Sequence, residues 1–106
     1  MNKQIIFTDH FLSYLPHESK LIYLYFSANT DENDYVQNPK AILTLLHQDT
    51  DKDSWKILVI EGYLIIAEEQ AIIRVIVVRN EKERKVVGTF KDLLDKHYPI
   101  GDWIGI

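Results

Sequence analysis

Asp49, Asp51 and Asp53 lie at alternate positions, which is the spacing of the first three ligands of an EF-hand calcium loop. The remainder of that loop is missing, because Ser54 stands where glycine makes the turn and Ile60 stands where a bidentate glutamate completes the site. Carboxylates just before a helix also stabilise its positive end. We therefore expect these aspartates to cap a helix and not to bind calcium.

Other residue types that commonly carry out catalysis show no grouping along the chain. The absence of cysteine excludes disulfides, thiolate metal sites and cysteine nucleophiles. The glycines form no phosphate-binding loop, and no serine has the glycine-flanked turn of hydrolases. A zinc site or a catalytic pair would need contacts between distant histidines, which are His10, His17, His47 and His97. We expect no enzyme activity, no metal and no cofactor.

Positive charge is concentrated in the last third of the chain. Residues 1–69 hold five bases and eleven acids, a net charge of −6, whereas residues 70–106 hold seven bases and five acids. Nucleic-acid backbones are bound mainly by clustered lysine and arginine, so a DNA contact would draw on a small set of bases. That predicted set is Lys40, Lys52, Lys56, Arg74, Arg79, Lys82, Arg84 and Lys85. Ordinary solvated surface charge is the alternative interpretation of each of them.

The chain has the size and composition of one soluble domain over residues 1–106. Of its 106 residues, 46% are hydrophobic and 26% are charged, which excludes a disordered chain. No uncharged stretch reaches the ~18 residues of a membrane span, and Met1–Phe7 is too short for a signal peptide. We expect a cytoplasmic protein, in a bacterium or a phage-infected host cell, with no membrane partner.

The first two predicted helices have proline start signals. Thr8-Asp9 can cap a brief turn that ends at the Leu15-Pro16 break, and Pro16 suits the first position of a helix running to about Ala28. The apolar face of that helix is predicted to contain Leu21, Ile22, Tyr25, Phe26 and Ala28. Asn38-Pro39 predicts a second helix, which ends near His47 and has the buried residues Ile42, Leu43, Leu45 and Leu46.

A third helix and a hairpin follow. The helix is predicted over about Asp51–Glu61, with Trp55, Leu58 and Val59 buried and Gly62 in the left-handed conformation after its end. Isoleucine and valine then dominate Tyr63–Ala67 and Ile72–Arg79, which predicts two strands joined by a loop at Glu68–Gln70. This third helix and this hairpin should lie side by side.

A C-terminal helix completes the predicted elements. Thr89 and Asp92 have the spacing of a capping box, and Pro99 ends the helix, whose apolar side has Phe90, Leu93, Leu94 and His97. Three short helices, a β-hairpin and a C-terminal helix predict an α+β fold of the winged helix-turn-helix class. The third helix would be the recognition helix and the hairpin the wing.

Six segments follow one another in a distinctive order, and they are Phe11-Leu12-Ser13, Lys20–Phe26, Ala28–Val36, Asn38-Pro39-Lys40, Gly62–Ile65 and Ile72–Ile76. In this order they resemble the DnaD-like N-terminal winged-helix domain of Gram-positive phage replication initiators, or replisome organisers. The resemblance covers roughly residues 8 to 90. It implies a winged-helix protein that works at a phage or prophage origin, with double-stranded DNA or replication proteins as partners.

The sequence leaves two functions open. The first is DNA binding in replication or its control, through the bases named above. The second is a protein-interaction module on the same scaffold, which recruits or inhibits a host replication protein without binding DNA. The acidic first two-thirds of the chain and an apolar tail favour the second, and self-association into a homodimer is a further expectation from the same tail. The predicted partner-binding residues are Ile100, Trp103, Ile104 and Ile106, which could instead complete the core.

Overall fold

The computed structural model describes residues 4–47, 53–69 and 72–87. Two short helical turns, Ile5–Phe7 and His10–Tyr14, precede the main elements. These are the helices α1 (His17–Ser27), α2 (Pro39–Leu45) and α3 (Asp53–Ile60), the antiparallel strands β1 (Leu64–Glu69) and β2 (Ile72–Val77), and a short turn at Glu81–Glu83. The described chain is therefore a small α+β fold with a β-hairpin, as the sequence predicts.

Helix α1 ends where the sequence predicts, but its apolar face is narrower. The helix ends at Ser27, and the preceding Pro16 lies just outside its first turn. Its buried residues are Ser19, Ile22, Tyr23 and Phe26. Leu21 and Tyr25 were expected on this face, yet they are 37% and 45% exposed. That prediction was wrong because α1 packs against the core along the side that carries residues 19, 22, 23 and 26. Successive residues of a helix are rotated by about 100°, so Leu21 and Tyr25 point away from this side.

Helix α2 begins at Pro39 as predicted, although its cap differs. Asn38 has a left-handed backbone with a φ of 54°, and its side chain makes no capping hydrogen bond. Ile42 and Leu43 are buried, whereas Leu45 is 66% exposed and was wrongly predicted to be buried. Two residues correspond to about 200° around a helix, so a residue two positions after a buried one points away from the core.

Helix α3 is anchored to α1 and packs into the centre of the molecule. Trp55, Leu58 and Val59 are buried, which confirms the predicted apolar face. The Ser19 hydroxyl of α1 donates to the Ser54 carbonyl at 2.7 Å, and the Ser54 hydroxyl donates to a Glu18 carboxylate oxygen at 2.9 Å. These bonds hold the start of α3 against the start of α1.

The hairpin pairs over its whole length, from Leu64 opposite Val77 to Glu69 opposite Ile72. Glu68 and Glu69 were predicted to lie in the loop, but they belong to β1. That prediction was wrong because backbone pairing does not depend on side-chain polarity and hairpins favour short connections. Strand β2 ends at Val77, two residues earlier than predicted.

A short segment between α1 and α2 pairs with the outer edge of β2. The Val36 N–H donates to the Val75 carbonyl at 2.8 Å, and the Val77 N–H donates to the Asp34 carbonyl at 2.9 Å. The two bonds flank an antiparallel bridge between Tyr35 and Ile76. The sequence analysis did not foresee this pairing, which fixes where α2 begins relative to the hairpin.

The predicted C-terminal helix after Thr89 lies outside the described residues. So do the predicted capping residues Asp49 and Asp51. Val75 and Val77 of β2 are buried in the described part of the fold, in a core that also includes Tyr23 and Trp55.

Gly62 ends α3 in the predicted left-handed conformation, with a φ of 82°. A Cβ atom there would lie 2.4 Å from the Lys85 carbonyl oxygen. We expect Gly62→Ala to lower the free energy of unfolding by about 2–4 kcal/mol, because backbone strain adds to a clash with main chain. Urea denaturation measures this loss. The control is Asn38→Gly at another left-handed position, where we expect a change within about 1 kcal/mol. Equal effects of the two substitutions would contradict this account.

Candidate nucleic-acid interface

Arg79, one of the predicted DNA contacts, is bound within the chain. Its Nε donates to Asp34 Oδ1 at 2.6 Å, and its Nη2 donates to the Ser27 carbonyl and to Thr30 Oγ1, both at 2.8 Å. The guanidinium therefore joins the end of α1 and the following polar turn to the residues after β2. A phosphate would have to compete with the Asp34 carboxylate for this side chain, although the side chain is 46% exposed.

Arg84, a second predicted contact, is directed into the molecule. Its side chain is only 12% exposed. Its Nε and Nη2 bind the Glu81 carboxylate at 2.9–3.1 Å, and its Nη1 donates to the Glu61 carbonyl at 2.7 Å. The guanidinium carbon lies 5.1 Å from the centre of the Tyr63 ring. The hydrogen bonds to Glu81 raise the pKa of Arg84 above its ordinary value. This arginine holds the 81–84 turn against the end of α3.

A histidine that the sequence analysis left without a partner joins the same cluster. His10 Nδ1 lies 2.6 Å from the hydroxyl oxygen of Tyr63, and His10 Nε2 lies 3.3 Å from Glu61 Oε2. The imidazole also stacks on Tyr14 with a ring-centre distance of 4.5 Å. No motif could reveal this cluster, because His10 and Glu61 come from opposite ends of the described helical region. It ties the N-terminal turn to the junction between α3 and β1.

Tyr63 lies at the centre of that junction and is fully buried. Burial raises the pKa of its phenol to about 12, and the nearby Arg84 charge only partly offsets this effect. The raised pKa means that the folded protein holds the phenolic proton more tightly than the unfolded chain does. The resulting stabilisation is complete below the ordinary tyrosine pKa of about 10 and is lost as the pH rises through about 12.

The remaining predicted lysines differ in how exposed they are. Lys40 in the first turn of α2, Lys82 and Lys85 are exposed. Lys56 of α3 is half-buried, with its ammonium 5.7 Å from the centre of the Trp55 ring. Lys52 lies outside the described residues. Arg79 and Arg84 are thus engaged by carboxylates within the chain, whereas Lys40, Lys82 and Lys85 are exposed.

Arg74 differs from the other two arginines. It is half-buried on β2, and its guanidinium carbon lies 5.4 Å from the centre of the Tyr35 ring. Its Nε is buried and has no hydrogen-bond partner in the described part of the chain. The sequence analysis named Arg74 but missed Tyr35, because their contact depends on the unforeseen pairing of residues 35 and 36 with β2.

Helix α3 presents few side chains to a ligand. Four of its eight residues, Trp55, Leu58, Val59 and Ile60, are buried. Its one basic residue is Lys56. Base-edge contacts from the described part of this helix would therefore be few, and most of the binding energy would have to come from phosphate contacts.

An apolar surface lies on the outer side of α1. Leu21, Leu24 and Tyr25 share this side, since they are three and four residues apart, and all are exposed. Leu24 also lines a cleft of about 200 Å³, together with Ile6 and Arg79. The predicted partner-binding residues Ile100, Trp103, Ile104 and Ile106 lie outside the described ranges. The described part thus offers an apolar surface at a place that the sequence analysis expected to be core.

Comparisons with protein-family models, curated proteins and solved structures gave no match for the chain. Across residues 4–47, 53–69 and 72–87, no group of three or more histidines and acids could hold a metal ion. In the same ranges, no helix has both the length and the apolar character needed to cross a membrane.

The structural role of Arg84 can be separated from a role in ligand binding. We expect Arg84→Gln to lower the free energy of unfolding by about 2–4 kcal/mol, because it leaves Glu81 and the Glu61 carbonyl without their donor. Lys82→Gln removes the same charge from an exposed position of the same turn and should change stability by less than about 0.5 kcal/mol. Thermal and urea unfolding of both variants measure the difference. Losses of similar size would show that Arg84 is not a structural residue.

Proposed function

We propose that the protein is a winged helix-turn-helix protein that binds double-stranded DNA. In this proposal α3 enters or flanks the major groove as the recognition helix, and the β1–β2 hairpin is the wing beside it. The observation that carries the proposal is the pairing of Tyr35 and Val36 with β2. With this pairing, the order of elements along the chain is α1, the paired segment at residues 35 and 36, α2, α3 and the hairpin. The paired segment lies at the edge of β2 opposite to β1.

The distribution of bases also supports the proposal. Lys40 lies in the first turn of α2, Lys56 lies on α3, and Arg74 lies on the hairpin, so each of the three elements supplies one base. Lys85 is close to the α3–β1 junction, because its main chain lies against Gly62. In the described ranges, Lys40, Arg74 and Lys85 form no ion pair with a carboxylate, in contrast to Arg79 and Arg84. A phosphate could therefore reach these three bases without displacing a described carboxylate.

The likeness to phage replication initiators gives this DNA binding a biological setting. The ordered segments from residue 11 to residue 76 support a role at a phage or prophage origin, in replication or in its control. The partner in this setting is double-stranded origin DNA. The acidic first part of the chain would keep non-specific binding weak, because it repels phosphates outside the basic surface.

Salt dependence tests the proposal. With about three to five phosphate contacts, log affinity should fall with log salt at a slope of about −3 to −4.5. Fluorescence anisotropy with a labelled duplex measures this slope between 25 and about 200 mM salt. Lys56→Gln should make the slope shallower by about 0.9, whereas Lys20→Gln on α1 should leave it unchanged. No binding at about 100 µM protein and low salt would refute DNA binding.

A protein-interaction module is the second candidate, and the exposed side of α1 favours it. Leu21, Leu24 and Tyr25 form an apolar strip beside a cleft that could accept one large side chain. In this case the scaffold would recruit or inhibit a replication protein, and DNA binding would be absent.

A matched pair of variants distinguishes this candidate. Leu21→Glu places a carboxylate within the apolar strip, whereas Ala41→Glu places one on the exposed side of α2. If α1 is the docking surface, the wild type and Ala41→Glu should retain the same protein from a bacterial lysate, and Leu21→Glu should lose it. Identical retention by all three proteins, or no retention and no dimer, would refute this candidate.

A further inference from the structure

The three arginines of the chain are held in two different ways. Arg79 is bound to the Asp34 carboxylate and Arg84 to the Glu81 carboxylate, each through Nε. Arg74 has no carboxylate partner in the described part of the chain, and an aromatic ring lies beside its guanidinium. A phosphate that bound Arg79 or Arg84 would have to displace a carboxylate, whereas one that bound Arg74 would displace none of the carboxylates in the described ranges.

The backbone on both sides of Tyr35 is held by main-chain hydrogen bonds. The residue before it accepts a hydrogen bond from Val77 N–H, and the residue after it donates one to the Val75 carbonyl. Arg74 is the neighbour of Val75 on β2, so the strand pairing itself brings ring and guanidinium together. Successive side chains of a strand point to opposite faces, and Val75 and Val77 are buried. Arg74 and Ile76 therefore occupy the other face of the hairpin.

On that face the ring of Tyr35 restricts the movement of the Arg74 guanidinium, and one of its N–H donors has no hydrogen-bond partner in the described ranges. The residue opposite it on β1 is Ala67, which is too small to cover it. A guanidinium stacked on an aromatic ring keeps its charge and its outward donors while losing freedom of movement. The Nε–H is buried without an acceptor. If the guanidinium turns towards an anion, this N–H gains a bond and no existing hydrogen bond is broken.

We propose that Arg74 is the wing's phosphate-binding residue and that Tyr35 is the positioning residue that holds it. The ligand group is a phosphate of the DNA backbone, bound side-on through Nε and one terminal nitrogen. This inference rests on the DNA binding proposed above. It adds Tyr35, from the segment between α1 and α2, to the interface, and it excludes Arg79 and Arg84 from it.

Anisotropy titrations of the full chain with labelled duplex test the two residues. Arg74→Gln should weaken binding about tenfold at low salt and make the salt slope shallower by about 0.9. Lys20→Gln, which removes one charge from α1, should bind like the wild type. Tyr35→Leu should weaken binding severalfold relative to the wild type. Tyr35→Phe, which keeps the ring, should bind like the wild type. Circular dichroism and urea unfolding establish that each variant is folded.

Arginine side-chain signals provide a second readout. The three Nε–H groups give separate ¹H–¹⁵N correlations, which Arg→Lys variants assign. On addition of duplex, the Arg74 signal should move and those of Arg79 and Arg84 should stay, because their Nε groups already bind carboxylates. This readout needs no substitution in the observed protein.

The outcomes separate the inference from the function on which it rests. If the wild type does not bind duplex, DNA binding and this inference both fail. If the wild type binds and Arg74→Gln binds equally well, only the inference is overturned. A shift of the Arg79 or Arg84 signal in place of the Arg74 signal would also overturn it. If Tyr35→Phe binds as weakly as Tyr35→Leu, the ring is not what positions Arg74.

Discussion

The main-chain pairing of residues 34–36 with the edge of β2 is the constraint on which the rest of the described fold depends. Two hydrogen bonds place this segment beside the hairpin, and two arginines from that side bind it. Arg79 binds the Asp34 carboxylate, and Arg74 lies over the Tyr35 ring. The segment connects α1 to α2, so its pairing also sets where α2 begins. Core packing and the Tyr23 hydroxyl, which donates to the Val78 carbonyl at 2.7 Å, also join the helices to the hairpin region.

Two of the three arginines of this protein are used in contacts within the fold. Arg79 and Arg84 stabilise long-range contacts, and each is within reach of a carboxylate that screens it. A chain with a net charge of −4 has few cations to spare, so each arginine used internally weakens the field at the surface. Any DNA-binding surface must therefore rely on a few well-placed bases. Under the proposed DNA binding, the orientation of Arg74 would therefore matter more than the number of bases in the sequence.

The junction between α3 and β1 is a second place where several requirements meet. Gly62 provides the left-handed turn, and the main chain of Lys85 packs against it with no room for a side chain. On either side of the glycine, Glu61 and Tyr63 meet His10 and Arg84. The N-terminal turn, α3, the hairpin and the 81–84 turn therefore converge on three consecutive residues. This cluster therefore fixes the orientation of α3 relative to the hairpin.

Local signals predicted much of the fold. Pro39 predicted the start of α2, Gly62 predicted the end of α3, and the isoleucine and valine content predicted the hairpin. The errors arose where side-chain chemistry was a poor guide to position. Glu68 and Glu69 pair within β1 although their side chains are polar, and Leu21 and Leu45 are exposed although they are apolar. In each case the deciding factor is the neighbouring element, about which the local pattern contains no information.

The sequence by itself determined the type and order of the elements, because caps, turn residues and periodicity act over a few residues. It also determined the shortage of positive charge. Only the tertiary structure decided which bases remain for a ligand, since Arg79 meets a carboxylate 45 residues away and Arg84 meets a carbonyl 23 residues away. It likewise decided that Tyr35 faces Arg74. Such pairings depend on how strands and helices come together, which no local spacing encodes.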